Sequence, residues 1–78
     1  MNEIENHVQF ALCLDNTGYE ASLEPGKLYR IVVDEQAEAR GYIRIVDESG
    51  EDYAYDVDRF YLLTLPETVE QTLLTAMA

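Results

Sequence analysis

Apolar and polar positions alternate along His7 to Leu14, with Val8, Phe10, Leu12 and Leu14 on one face and Gln9, Ala11 and Cys13 on the other. A period of two over this length predicts a strand, and the turn formers Asp15-Asn16-Thr17-Gly18 end it. Pro25-Gly26 fits the centre of a type II turn, where Pro fixes the first central angle and Gly supplies the positive one. Leu28 to Val33 is β-branched and aromatic and predicts a second strand. Asp34 to Arg40 is polar and too short for an independent helix, so a loop with at most one helical turn is expected, closed by Gly41. Tyr42 to Asp47 predicts a third strand, with Ile43 and Ile45 opposed to Tyr42, Arg44 and Val46. Glu48-Ser49-Gly50-Glu51 predicts a tight hairpin, Asp52 to Asp56 a fourth strand, Val57-Asp58-Arg59 a 3₁₀ turn and Phe60 to Leu63 a fifth strand.

The period then changes. Thr64 and Glu67 have capping-box spacing, Pro66 suits a first helical turn, and Val69, Leu73 and Met77 form one stripe that Leu74 widens. A helix over about 66–76 is expected. It would lie across an open end or a sheet edge, or offer its stripe to a second copy as a homodimer contact. Strands within 8–63 and one short helix predict an all-β fold, a small five-strand barrel in a single domain spanning 1–78. Closure is expected because it removes the unpaired edges of a flat sheet.

Bulk properties narrow the classes. The chain has 78 residues, enough for one domain with a small core, and 47% apolar residues, which argues against disorder. The longest apolar run, Phe10 to Leu14, is far short of the roughly 20 residues of a membrane-spanning helix. Met1 to Glu5 is acidic and lacks the positive start of a secretory signal. Cys13 is the one cysteine, which rules out an intrachain disulfide and fits a reducing, cytoplasmic setting. The net charge of −11, from 16 acidic and 5 basic residues, repels nucleic-acid backbones and anionic membranes and favours basic partners.

The order of features resembles the Src-homology-3-like (SH3-like) barrel. Phe10-Ala11-Leu12-Cys13-Leu14-Asp15 resembles its opening strand, and Ala21 to Val32 its next signature, a Leu followed by a Gly turn and an apolar strand. Residues 34–40 stand where its variable loop lies, Gly41 to Asp47 match its third strand, and Val57 to Phe60 its 3₁₀ turn with an aromatic end. The Gly-Lys-Leu-Tyr-Arg and Asp-Glu-Ser-Gly-Glu-Asp-Tyr wording is also similar to small bacterial SH3-like proteins of unassigned function. The resemblance implies the fold and supplies no activity. It does not extend to proline motifs: Gly41-Tyr42 replaces the family's groove Trp, and Asp56-Val57 replaces its Pro.

Two groups of residues bear on chemistry. Asp47, Glu48, Glu51 and Asp52, with Asp56 and Asp58 nearby, offer oxygen ligands for a divalent cation, but from Asp47 the EF-hand positions six and twelve hold Asp52 and Asp58, so that motif fails. Their other reading is a solvated hairpin tip. The tyrosines, six in all, suggest an aromatic surface for a cationic protein segment, with Tyr19, Tyr42, Tyr53, Tyr55 and Phe60 as binding candidates. Their other reading is barrel cover, rings inward and hydroxyls to water. His7 and Cys13 have no partner in motif spacing, and no phosphate loop or nucleophile elbow is present, so no catalytic residue, metal ligand or cofactor is expected. The expected function is a non-catalytic protein-interaction module. An acidic nucleic-acid mimic or inhibitor of a basic protein, and a divalent-cation-dependent protein, are the alternatives.

Overall fold

The computed structural model describes residues 10–77. The start of the first strand at Val8, and His7, lie outside the described residues, as does the side chain of Met77. The elements are β1 (Phe10–Cys13), β2 (Leu28–Val32), α1 (Glu35–Ala39), β3 (Tyr42–Val46), β4 (Asp52–Asp56), a 3₁₀ turn (Val57–Arg59), β5 (Phe60–Leu63) and α2 (Glu67–Met77). The strands form one antiparallel sheet in the order β4-β3-β2-β1-β5.

Alternation sorts each strand into an inner and an outer face. Ala11, Cys13, Tyr29, Ile31, Ile43, Ile45, Tyr55 and Phe60 turn inward and meet in one cluster, joined by Leu23 from the 14–27 loop. Every strand contributes, so the sheet curls around a single core. Among the described residues the curl has no ladder at its seam. Among the described residues, β4 and β5 are the two edge strands, where a closed barrel was expected. The 3₁₀ turn joins them directly, and Tyr55 meets Phe60 across the seam with ring centroids 6.1 Å apart. Side chains and a tight turn thus span the gap.

The turns follow their residues. The Lys27 amide donates to the Glu24 carbonyl at 3.2 Å, and Gly26 sits at φ 84, the geometry a type II turn requires. The 34–40 segment forms a five-residue helix, because the Asp34 carboxylate caps it by accepting from the Ala37 amide at 3.1 Å. The same carboxylate accepts from Arg44 Nε on β3 at 2.9 Å, which pins the short helix to the sheet. At α2 the Glu70 amide donates to the Pro66 carbonyl, so Pro66 and not Thr64 holds the cap position. Leu73 and Leu74 are half-buried, while Val69 is 45% exposed and falls outside the covered stripe. Among the described residues no helix is long and apolar enough to cross a membrane.

Candidate functional site

The tyrosines divide into anchors and exposed rings. Tyr29 and Tyr55 point inward from β2 and β4 and are only 4% and 3% exposed. A buried tyrosine needs a partner for its hydroxyl. Both find one on the hairpin between β3 and β4. The Tyr29 hydroxyl donates to the Glu48 carboxylate at 2.6 Å and accepts from the Glu24 amide at 2.8 Å. The Tyr55 hydroxyl donates to Asp47 Oδ2 at 2.7 Å. The hairpin is itself closed by the Gly50 amide donating to the Asp47 carbonyl at 3.0 Å, with Gly50 at φ 87, where a side chain would be strained. Ser49 donates its amide and hydroxyl to Asp47 Oδ1. Lys27 Nζ lies 2.7 Å from Glu48, and the Glu48 amide donates to the Ser22 carbonyl at 3.0 Å. These contacts latch the 14–27 loop onto the hairpin tip.

The latch shifts the groups in it. Burial pushes the Tyr29 phenol well above its ordinary value, and its bond to Glu48 adds to that. Burial and then the Asp47 bond push Tyr55 up to about 12. For Asp47 burial acts upward, but the bonds from Ser49 and Tyr55 outweigh it and hold the carboxyl below the usual range. Lys27, then Tyr29, hold Glu48 low as well. A bond from a phenol to an adjacent carboxylate keeps the proton on the phenol and the charge on the carboxylate.

The acidic residues are therefore not one group. Asp47 and Glu48 are occupied by the core tyrosines. Glu51 stands exposed at the tip. Asp52 faces outward, 3.5 Å from Arg44, and Asp56 lies opposite Tyr42 at the far end of β4. Asp58 is exposed in the 3₁₀ turn. Among the described residues, no three or more carboxylate, His or Cys groups are arranged to hold a metal ion.

Tyr19 and Tyr53 flank the Tyr55 ring. Their centroids lie 5.0 and 5.2 Å from it, and they remain 38% and 55% exposed. Tyr19 is fixed by its loop, since its carbonyl accepts from the Ser22 and Leu23 amides, both at 2.9 Å, and Leu23 is buried in the core. The Arg59 guanidinium lies 4.8 Å from the Tyr19 ring centroid and donates to the Asp15 carbonyl at 3.2 Å. Phe60 is a core residue, 6% exposed. Tyr42 is 45% exposed but projects from the outer face, away from Tyr53. The structure thus brings together Tyr19, Tyr53 and Tyr55, with Phe60 beneath, and leaves Tyr42 apart. Arg59 and the Glu24–Tyr29–Glu48–Lys27 latch were not expected from the sequence. Arg59 read only as part of a turn, and nothing in the chain order places it beside Tyr19. The chain matches no family profile, no curated protein and no solved structure.

Proposed function

We propose that the chain is a non-catalytic protein-interaction module of the SH3-like kind, acting in a bacterial cytoplasm, and that it receives a basic protein segment on the exposed rings of Tyr19 and Tyr53. One feature carries the reading: two half-open aromatic rings rest on a third that is buried and anchored, so the surface is preorganised. Rigid tyrosines of this kind supply contact area at small entropy cost. Arg59 over Tyr19 is the chain's own instance of the proposed contact. Such a pair contributes about 0.5–1 kcal/mol at an exposed site and more once a partner excludes water. The net charge of −11 steers a basic partner toward the surface and repels acidic ones.

Capture from the native cell extract at low and high salt tests this. A partner held by the wild-type protein at both salts, and lost by Tyr53→Ala, supports the aromatic surface. Basic proteins retained only at low salt, and equally by Tyr53→Ala, would favour the acidic mimic and remove the module reading.

A further inference from the structure

On the opposite face of the sheet we propose a second site, a pocket that takes a small apolar carboxylate. The pocket has a volume of about 220 Å³ and is lined by residues of β2, β3 and the hairpin between β3 and β4, with Lys27 at its edge. Tyr29, Ile31 and Ile45 turn into the core, so Leu28, Arg30 and Val46 face outward, and the Ile31–Ile45 pairing sets Arg30 beside Val46. Half-buried Leu28 and Val46 give the pocket an apolar floor.

The lining carries two basic side chains, Lys27 and Arg30, and two acidic ones, Asp47 and Glu48, but not all of their hydrogen-bonding capacity is used within the chain. Lys27 and Glu48 neutralise each other at 2.7 Å. Asp47 also lines the pocket, with its carboxylate oxygens accepting from the Tyr55 hydroxyl and from Ser49. Arg44 pairs with Asp34 and Asp52, and Arg59 with Asp15. Arg30 is exposed, lines the pocket and makes no ion pair among the described residues, although the chain carries a net charge of −11. A guanidinium with no ion-pair partner among the described residues, over an apolar floor, fits a planar carboxylate, which it can bind through two parallel hydrogen bonds. The repulsion from distant carboxylates is largely screened beyond about 8 Å at physiological ionic strength. A volume below the roughly 300 Å³ of drug-sized sites limits the ligand to one ring or one branched chain.

Amide-resolved NMR titration with benzoate, benzamide and benzylammonium tests the site. Benzoate is expected to shift the Leu28, Arg30 and Val46 amides saturably. Benzamide and benzylammonium should each bind at least about tenfold more weakly, the size of one charge-assisted hydrogen bond. Arg30→Gln, at an exposed position, keeps the spectrum of the folded chain and should lose about the same factor for benzoate. No saturable shift with benzoate, equal binding of benzamide, or unchanged binding by Arg30→Gln would each overturn the proposal. The site is independent of the Tyr53 surface and stands or falls without it.

Discussion

Tyr29→Phe removes one oxygen atom, and with it the two hydroxyl bonds, to Glu24 and Glu48, that join the Lys27–Glu48 pair and the Glu48–Ser22 bond in tying the 14–27 loop to the hairpin tip. The ring stays in the core, so apolar burial is nearly unchanged. The lost bond to the Glu48 carboxylate belongs to a class that contributes about 1.5–3 kcal/mol. The Glu48 side chain is 32% exposed, so solvent screening puts it at the lower end of that range. The Glu24 amide also loses its acceptor, a loss that water makes good in part, because Glu24 is exposed. The sum is about 2 kcal/mol. For 78 residues the whole stability is roughly 4–12 kcal/mol, so this single atom carries a large share. Denaturant titration should show a lower midpoint at unchanged slope, and the melting temperature should fall by about 8–16 °C. A double-mutant cycle with Glu48→Ala should return a coupling near 1 kcal/mol. The pH dependence has a defined sign. The Glu48 carboxyl is held low in the folded state, so its contribution is present above the unfolded carboxylate pKa and is lost as pH falls through the folded one. The gap between wild type and Tyr29→Phe should therefore narrow in acid. A variant within about 0.5 kcal/mol of wild type, or two substitutions that simply add, would refute the latch.

Two further outcomes follow from local geometry. Tyr55 is raised to about 12 in the folded state against about 10 unfolded, so the stability tied to its protonated form is complete below pH 10 and lost as pH climbs toward 12. Phenolate absorbance of wild type minus Tyr55→Phe should show that midpoint, and ionisation near pH 10 in the folded chain would contradict it. Gly26→Ala should lower stability by about 1 kcal/mol, all of it conformational, since no heavy atom lies within 4 Å of the added Cβ and φ is 84. A thermal melt equal to or above that of wild type would show that the turn relaxes without strain.

Strand positions were legible because the signal is local. Ile43 and Ile45 flank Arg44, as Tyr29 and Ile31 flank Arg30, and one face of a curled sheet has only one core to meet. Gly26 and Gly50 marked their turns for the same reason: the required φ is a property of the residue itself. The first strand was read from its alternation, but the face that meets the core cluster is that of Ala11 and Cys13, while Phe10 is fully buried outside the cluster and Leu14 is 55% exposed. Helix α1 was read as a loop because its stability comes from Arg44, which reaches the capping Asp34 from β3. The candidate site was legible only in part. Six tyrosines were visible, but which of them are anchors depends on register and on which hydroxyl meets Asp47 or Glu48. The acidic run looked like a solvated tip for the same reason, since no sequence pattern records that two of its carboxylates accept from buried phenols.

The most direct test of the binding surface compares Tyr53→Ala with Tyr61→Ala. Both side chains are largely exposed, at 55% and 60%, but Tyr61 projects from the outer face of β5 while Tyr53 packs against Tyr55. With melting temperatures checked to be equal, each variant is used to capture partners from the native extract at high salt. The proposed function predicts that Tyr61→Ala retains the wild-type partner and Tyr53→Ala loses it. Retention by both, or loss by both, would contradict the assignment of binding to the Tyr19–Tyr53 surface.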